Sequence, residues 1–411
     1  MKDVLIIGGG AAGLCAAIRI MQKNPQLKVS VAEQLDRVAK KLITTGNGRC
    51  NITNADCSLK HFHGKNAQFC QTALERYNNN IIEEFFKGIG VVFTYDSKGK
   101  AYPYSLQASS VVDALRFTAQ KLGVEILTNT EITNITPTKQ GFELLSTNGT
   151  LKARTVLVAS GLYSGGAKLG STGLVFKLLR DTLNIPTVKT TPAIVQLKTD
   201  SKLVRSLKGI KVNATVSLLC GNTLVREDFG EVLFCDYGLS GPPIMQVSRE
   251  VERTNKDFKV TLDLMPEYTH EEIKDMLKRR ICDLADRNTD EFFTGMLNKR
   301  VGQYIIKKCG FSLGDTVSVL SSHEDELTNA IKALDFGIMS TTGFINSQVT
   351  AGGLDTSAFY EDTLMSKKYK GLFAAGEILD IDGDCGGYNL RWAWSSGMCA
   401  ANAICDYLGE N

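Results

Sequence analysis

Residues 3–7 (DVLII), nearly all apolar, run straight into Gly8-Gly9-Gly10, the pattern of a strand buried on both faces. Positions 11–23 then carry apolar residues at helical spacing and stop at Asn24-Pro25, and 27–33 read as a second strand ending in Glu33. A β-turn-α-β unit is thus expected within the first 33 residues. From Asp36 to Ser58 the pattern turns polar and Gly-containing, as in a long functional loop. Further on, 66–88 read as helical, 90–104 as a hairpin around Ser97-Lys98-Gly99, and 107–122 as an amphipathic helix stopped by Gly123. Short strands follow at 124–127, 130–136, 142–147 and 151–159, with Asn148-Gly149 a strong hairpin signal. From 190 to about 266 the pattern is β-like, and from 267 to 337 it is helical and charged. After 338 α/β character returns, with a strand at 371–375 and a last helix from about Asn389 to Leu408. The expected organisation is an α/β domain built from 1–189 and 338–411, with 190–337 inserted.

Composition narrows the function classes. A chain of 411 residues with 43% hydrophobic and 22% charged residues folds around a sizeable core. A formal charge of +3 offers no footprint for nucleic acid or membrane, and the Lys-rich stretches 274–280 and 298–308 read as solvated helix faces. The eleven cysteines form no CxxC pair, so a metal site or a thiol relay is not expected, and they read as reduced thiols of a cytoplasmic protein. Glycine is abundant at 38 residues while proline is scarce at 8, which directs attention to where the glycines cluster.

Gly8-Gly9-Gly10-Ala11-Ala12-Gly13 is a GxGxxG between a strand and a helix, with an acid, Glu33, at the end of the next strand. Gly8 permits the tight turn, Gly10 lets backbone approach a pyrophosphate, and Gly13 allows close helix–strand packing. The helix amides take the phosphates and the carboxylate takes a ribose hydroxyl. The motif does not separate NAD from FAD. Two later strands favour FAD: 155–161, ending Ala159-Ser160-Gly161, resembles the Ala-Thr-Gly motif of flavoproteins with two dinucleotide-binding folds. The other, 371–377, ending Gly376-Glu377, resembles their Gly-Asp motif. There is no second GxGxxG for a separate NAD(P)H domain and no GxSxG elbow. Asp380-Ile381-Asp382-Gly383-Asp384 has a calcium-loop look but lacks the spacing and terminal Glu, and reads better as a glycine turn feeding a helix. His61 and His63 read as surface histidines, so the flavin is expected to be non-covalent.

Gly8–Gly13, Lys40-Lys41-Leu42 with TGNGRCNITN (45–54), Tyr237-Gly238-Leu239-Ser240-Gly241-Pro242, Val349-Thr350-Ala351-Gly352-Gly353 and GEILDIDGDCGGYNLRWAWSSG (376–397) together resemble the BaiN/YhiN-type flavoproteins, also called the aminoacetone oxidase family. The likeness covers nearly the whole chain. It implies a Rossmann-like, glutathione-reductase-like FAD domain interrupted by an inserted β-rich and helical domain. It implies FAD contacts at Gly8, Gly10, Ala11, Ala12, Gly13, Glu33, Gln34, Lys41, Leu42, Gly46, Asn47, Gly48 and Arg49. Further contacts are implied at Ile132, Ala159, Ser160, Gly161, Gly376, Glu377, Gly386, Gly387, Tyr388, Asn389 and Leu390. Arg49, Asn51, Tyr237 and Tyr388 are the candidates for the substrate side of the flavin. One departure is visible: where the family continues Asp-Gly after Gly170-Ser171-Thr172-Gly173, this chain has Leu174-Val175.

The resulting expectation is an FAD-dependent oxidoreductase that moves hydride to or from flavin N5 of a small organic substrate. Two reactions stay open: oxidation of an amine or aminoketone with O2, and reduction of an enone or alkene with NAD(P)H as transient donor. A third reading, from another class, is a scaffold or RNA-binding protein with a structural FAD. Substrate identity and oligomeric state are not written in the sequence.

Overall fold

The computed structural model describes residues 1–200, 204–254 and 256–410. The N-terminal segment runs β1 (Lys2–Ile7), α1 (Ala11–Lys23), β2 (Val29–Ala32), α2 (Lys40–Ile43), β3 (Thr53–Asn54) and β4 (Phe62–His63). It continues through α3 (Gln71–Arg76), α4 (Asn79–Gly88), β5 (Phe93–Tyr95), β6 (Lys100–Pro103), α5 (Ala108–Lys121), β7 (Glu125–Leu127) and β8 (Ile132–Thr138). β9 (Gly141–Ser146), β10 (Gly149–Val158), α6 (Leu174–Asp181) and β11 (Thr187–Ala193) complete it. Next come β12 (Leu197–Thr199), β13 (Lys211–Cys220), β14 (Thr223–Phe234), β15 (Gly238–Ser240), α7 (Pro242–Val247) and β16 (Phe258–Asp263). α8 (His270–Asp283), α9 (Lys299–Lys308), α10 (Glu324–Lys332) and β17 (Leu334–Thr341) follow. The chain closes with β18 (Val349–Leu354), β19 (Leu372–Ala374), β20 (Asp382–Gly383) and α11 (Tyr388–Glu410). It divides into two compact units, Met1–Pro192 with Phe344–Asn411, and Ala193–Gly343.

The first unit is built on a sheet ordered β7-β2-β1-β10-β9-β8, with β19 also pairing β10. β10 serves as two strands in one. Gly149–Ala153 form a hairpin with β9, and Ala153–Val158 run parallel to β1. Its last three residues, Val156–Val158, also run parallel to Leu372–Ala374 of β19. Val4, Ile6, Val156 and Leu157 are completely buried, and each such aliphatic side chain contributes about 1.5–3 kcal/mol on leaving water. α1 crosses this sheet and packs against α11, whose small residues allow the approach; a Cβ on Gly397 would stand 2.7 Å from the Ala12 carbonyl oxygen.

The second unit is a closed barrel, β12-β15-β14-β13-β16-β17, with β17 pairing both β16 and β12. Closure removes the exposed strand edges that an open sheet would offer to other chains. Phe234, Phe336, Leu262, Ile273, Leu277 and Ile305 are buried in its core. α8 begins with a capping box, in which Thr269 and Glu272 each bond the other's backbone N–H.

Three boundaries differ from the periodicity. The 66–88 pattern is two helices, because Asn78 caps a new start by accepting from the Ile81 N–H. The polar 36–58 stretch is not a plain loop but holds α2 and the short strand β3. β17 runs across position 337, where the helical pattern ended.

Candidate cofactor site

Four chain segments end together at the carboxyl edge of the parallel strands, the place where α/β sheets bind ligands. Gly8 N donates to Ala32 O (2.8 Å), Ala159 N to Ile7 O (2.8 Å), Ala375 N to Val158 O (2.9 Å) and Glu33 N to Leu127 O (2.9 Å). The turns carrying Gly8–Gly13, Glu33, Ala159–Gly161 and Gly376-Glu377 therefore share one rim. Each glycine there has a different reason. Gly8 sits at φ +103°, and a Cβ would fall 2.6 Å from Ala159 O; at Gly13 a Cβ would lie 2.0 Å from Gly8 O. At Gly10 and Gly161 a Cβ would meet nothing within 4 Å. Backbone is thus open at the positions where a pyrophosphate needs it, above the free amides of α1. That opening is the observation that fits a dinucleotide.

Glu33 closes the rim on one side. Its Oε2 accepts from Gly9 N (2.9 Å) and its Oε1 from Leu35 N (3.0 Å). Burial pushes its carboxyl above the ordinary range, and the bonds from Leu35 and Gly9 and the charge of Lys40 oppose that shift. Gln34 donates through Nε2 to Gly170 O. Asn129 N and Thr130 N bond the carbonyls of Leu35 and Glu33, which brings the chain leading to buried Ile132 beside the same acid. Ala11 and Ala12 form the first turn of α1, with Ala12 buried. The departure Leu174-Val175 opens α6 after Gly173, with Val175 buried.

On the other side, Glu377 Oε2 pairs with Lys41 Nζ at 2.6 Å while Oε1 accepts from Thr350 N at 3.1 Å. The longer acid in place of Asp is pinned at both oxygens. The neighbouring loop turns sharply: Gly46 (φ +57°), Asn47 (φ +55°) and Gly48 (φ +81°) are all left-handed, and Leu42 anchors α2 in the core. Arg49 lies exposed, its guanidinium 4.9 Å from the centre of the Tyr102 ring. Cys50 is fully buried, and burial pushes its thiol up to about 12.

The last part of the rim is the turn before α11. Gly387 has φ +101°, and a Cβ there would stand 2.5 Å from Thr53 O and 2.8 Å from Asn51 Oδ1. Asn51 Oδ1 is itself buried without a hydrogen-bond partner, an acceptor open to an N–H donor. Asn54 Nδ2 holds Gly386 O at 3.0 Å. Arg391 N is the first amide of α11 bonded back into the turn, to Gly387 O. The amides of Tyr388, Asn389 and Leu390 are left at the positive end of the helix. Asn389's side-chain amide is committed to Gly383, accepting from its N–H and donating to its C=O, both at 2.8 Å. It braces the turn and leaves only its backbone for a ligand. Burial, then the charges of Asp56 and Asp384, push the Tyr388 phenol up.

Lys41, Asn51, Gly376, Glu377 and Gly386–Leu390 share the first unit with Gly8–Gly13 and Arg49. Tyr237 lies in the second unit, between β14 and β15, where burial and Cys235 push its phenol up. His61 and His63 are not the surface histidines that the sequence suggested: their side chains are 20% and 22% exposed and both bond Asp384. No sequence signal announced that contact, because the partners lie more than 300 positions apart. Also missed were Ser396 Oγ, which accepts from Gly376 N at 2.9 Å, and Trp392 Nε1, which donates to Gly376 O at 3.1 Å. Beside the same helix start, Cys57, Leu74, Asn79 and Arg391 help line a cavity of 480 Å³. Some of its polar walls bond each other: Cys57 Sγ donates to Asn79 Oδ1 at 3.2 Å, Gln71 Nε2 to Glu75 Oε1 at 2.5 Å, and Arg391 to Leu74 O at 2.8 Å.

Parallel strands that bring a glycine turn, an acid after the second strand and a helix start to one rim define a Rossmann-type dinucleotide-binding fold, and the family places it among the FAD-dependent oxidoreductases. The chain belongs to the family described as HI0933-like protein Rossmann domain, whose pattern matches residues 2–403. It is 33% identical over 413 residues to the 3-dehydro-bile acid delta(4,6)-reductase of Clostridium scindens, covering 99% of this chain and 100% of that one. It is 27% identical over 410 residues to a ribosomal RNA dihydrouridine synthase of Haemophilus influenzae, covering 98% of each. Among solved structures, the 3-ketosteroid-delta4-(5alpha)-dehydrogenase of Rhodococcus jostii resembles it with a TM-score of 0.51 at 14% identity, over 98% of this chain and 96% of the other. At that identity the likeness is one of fold. Among the described residues, no helix is long and apolar enough to cross a membrane.

Proposed function

We propose that this protein saturates a carbon–carbon double bond conjugated to a carbonyl, with NAD(P)H as the transient electron donor. The observation that carries the reading is the full-length likeness, at 33% identity, to a reductase of a 3-dehydro-bile acid. The amine or aminoketone oxidation that the family resemblance also raised has no comparable support.

FAD, when bound, supplies the hydride carrier. The chain's own residues do the rest. The amides of α1 beneath Gly10 and the carboxylate of Glu33 hold the dinucleotide, with Gly161 leaving space across from them. Lys41 fixes Glu377, which presents its carboxylate to hydroxyls of the cofactor chain. Asn51 Oδ1 would accept an N–H of the bound cofactor, and the open amides of α11 would favour negative charge placed before them. Gln34, Leu42, Gly46–Gly48 and Ile132 complete the proposed lining. Arg49, propped on Tyr102, offers a guanidinium to an anionic substituent of the substrate. Tyr388, whose phenol burial pushes up, stays protonated at neutral pH and would be the first unit's candidate for delivering a proton to the carbon next to the carbonyl.

A second reading places the conjugated double bond in the uracil of an RNA, favoured by the 27% identical relative. The net charge of +3 speaks against a large RNA surface. The holoprotein is incubated anaerobically with NADH or NADPH and either a 3-oxo-4,6-diene steroid or a uridine-containing RNA, and the products are weighed. The proposal expects the steroid to gain two hydrogens. Gain only in the RNA favours the second reading. No gain in either, with peroxide formed from an amine in air, overturns both.

A further inference from the structure

Away from the strand-end turns, the cavity beside the start of α11 is walled by a buried cation with no acid to match it. Arg391 is 1% exposed and lines that cavity, whose 480 Å³ falls within the about 300–1,000 Å³ usual for small-molecule sites. Its Nη1 donates to Tyr77 O at 2.5 Å and its Nη2 to Leu74 O at 2.8 Å. Its Nε is buried without a hydrogen-bond partner. Among the described residues no carboxylate pairs with its guanidinium; burial pulls the pKa down, and the neighbouring Cys57 sulfur opposes that shift. Leu74 and Cys57 both line the cavity, so the guanidinium stands at the cavity wall between them.

The wall still has donors to give, while its acceptors are mostly spent. Two of the guanidinium's N–H groups are engaged on carbonyls, and the Nε–H is not. Asn78 accepts from Ile81 N through Oδ1 to cap α4, which leaves its Nδ2 for a ligand. Asn79 Oδ1, by contrast, already accepts from Thr53 Oγ1 at 2.8 Å and from Cys57 Sγ at 3.2 Å. A ligand must therefore bring acceptors, and a buried cation is costly unless a counter-charge meets it. An anion answers both demands, and a carboxylate matches the planar fork of the guanidinium. One acid shares the lining: Glu75, exposed, whose Oε1 accepts from Gln71 Nε2 at 2.5 Å. Asp56, one residue before Cys57, is tied to Ser58 N, Lys60 and His61. The Glu75 charge repels a second negative charge on the ligand, so a singly charged one is preferred.

We propose that this cavity is a binding site for a small, singly charged carboxylate, which sets its oxygens against the Nε–H of Arg391 and takes a further hydrogen bond from the Asn78 amide. Leu59 and Leu74 give the carbons of the ligand an apolar wall. The site is separate from the reduction proposed above: none of its lining residues lies in the turns Gly8–Gly13, Glu33, Ala159–Gly161 or Gly376-Glu377.

The test is the thermal midpoint of the holoprotein as sodium acetate replaces sodium chloride at fixed ionic strength, with sodium phosphate as the multiply charged probe. Acetate is expected to raise the midpoint along a saturable curve with its half-effect at about 1–10 mM, and phosphate to leave it unmoved over that range. Arg391→Met should weaken acetate by more than about tenfold. Should that variant fail to fold, Asn80→Trp replaces it. Asn80 lines the cavity from an exposed position, so the indole fills the space while Arg391 keeps its carbonyls, and the saturable response should vanish. Glu75→Gln, also at an exposed position, should bind acetate about threefold more tightly and admit phosphate. A wild-type midpoint that rises only linearly with acetate, or a response kept in full by Arg391→Met or Asn80→Trp, would overturn the proposal. Phosphate acting on wild type as strongly as acetate would overturn the restriction to a singly charged ligand.

Discussion

At the scale of single residues, glycines at one turn answer to different demands. Gly10 has ordinary dihedrals, φ −82° and ψ −164°, and open space where a side chain would go. Gly13 has a carbonyl oxygen 2.0 Å from that space. Gly10→Val should therefore leave the apoprotein's stability within about 1 kcal/mol of wild type yet abolish flavin retention, because the isopropyl group fills the pyrophosphate cradle. Gly13→Ala should destabilise the apoprotein itself by about 1–3 kcal/mol through overpacking. Denaturant unfolding of the apoproteins and flavin content after gel filtration separate the two; a Gly10→Val protein that stays yellow contradicts the placement. Residue chemistry was partly legible in the sequence: the GxGxxG named its own roles. The commitment of Asn389 to Gly383 was not, because a short-range side-chain bond to the backbone leaves no mark on hydropathy.

Among the elements, α11 ties most of the first unit together. Its first turn joins the strand-end rim, Gly397 lets α1 approach, and Arg391, 1% exposed, caps the end of α3. Arg391 looked like one residue of a family motif, but its guanidinium bonds the carbonyls of Tyr77 and Leu74, 314 and 317 positions away. Arg391→Met keeps the bulk and removes those bonds. It should cost about 1–3 kcal/mol by leaving the Leu74 carbonyl without its donor and Tyr77 O with Ser395 Oγ alone, measured by urea unfolding. A loss below about 0.5 kcal/mol would show that the carbonyls find other donors. Elements with strong local signals matched the sequence closely: α1 spans 11–23 as its spacing indicated, and the hairpin at Asn148-Gly149 is present, its turn at Thr147-Asn148 with Gly149 opening β10 opposite Ser146. Elements set by tertiary contacts did not. The break at Tyr77-Asn78 depends on a capping bond, and β17 becomes a strand because the barrel needs it to meet β12.

For the whole molecule, the sequence singled out the turns that share the strand-end rim because each of them is readable in a few residues. It gave little about the second unit, since a six-stranded closed barrel is made by long-range pairings of short, unremarkable strands. The histidine cluster around Asp384 was hidden for the same reason. The sequence left open oxidation of an amine or aminoketone and reduction of an enone or alkene, and the saturation proposed above is supported by the likeness to a reductase. The most direct measurement mixes anaerobically reduced holoprotein with a 3-oxo-4-ene or 3-oxo-4,6-diene steroid in a stopped-flow instrument and follows the visible flavin absorbance. The account predicts that the oxidised flavin spectrum returns in step with loss of the enone. A flavin that stays bleached with every conjugated carbonyl tried, while an amine bleaches the oxidised form, would contradict it.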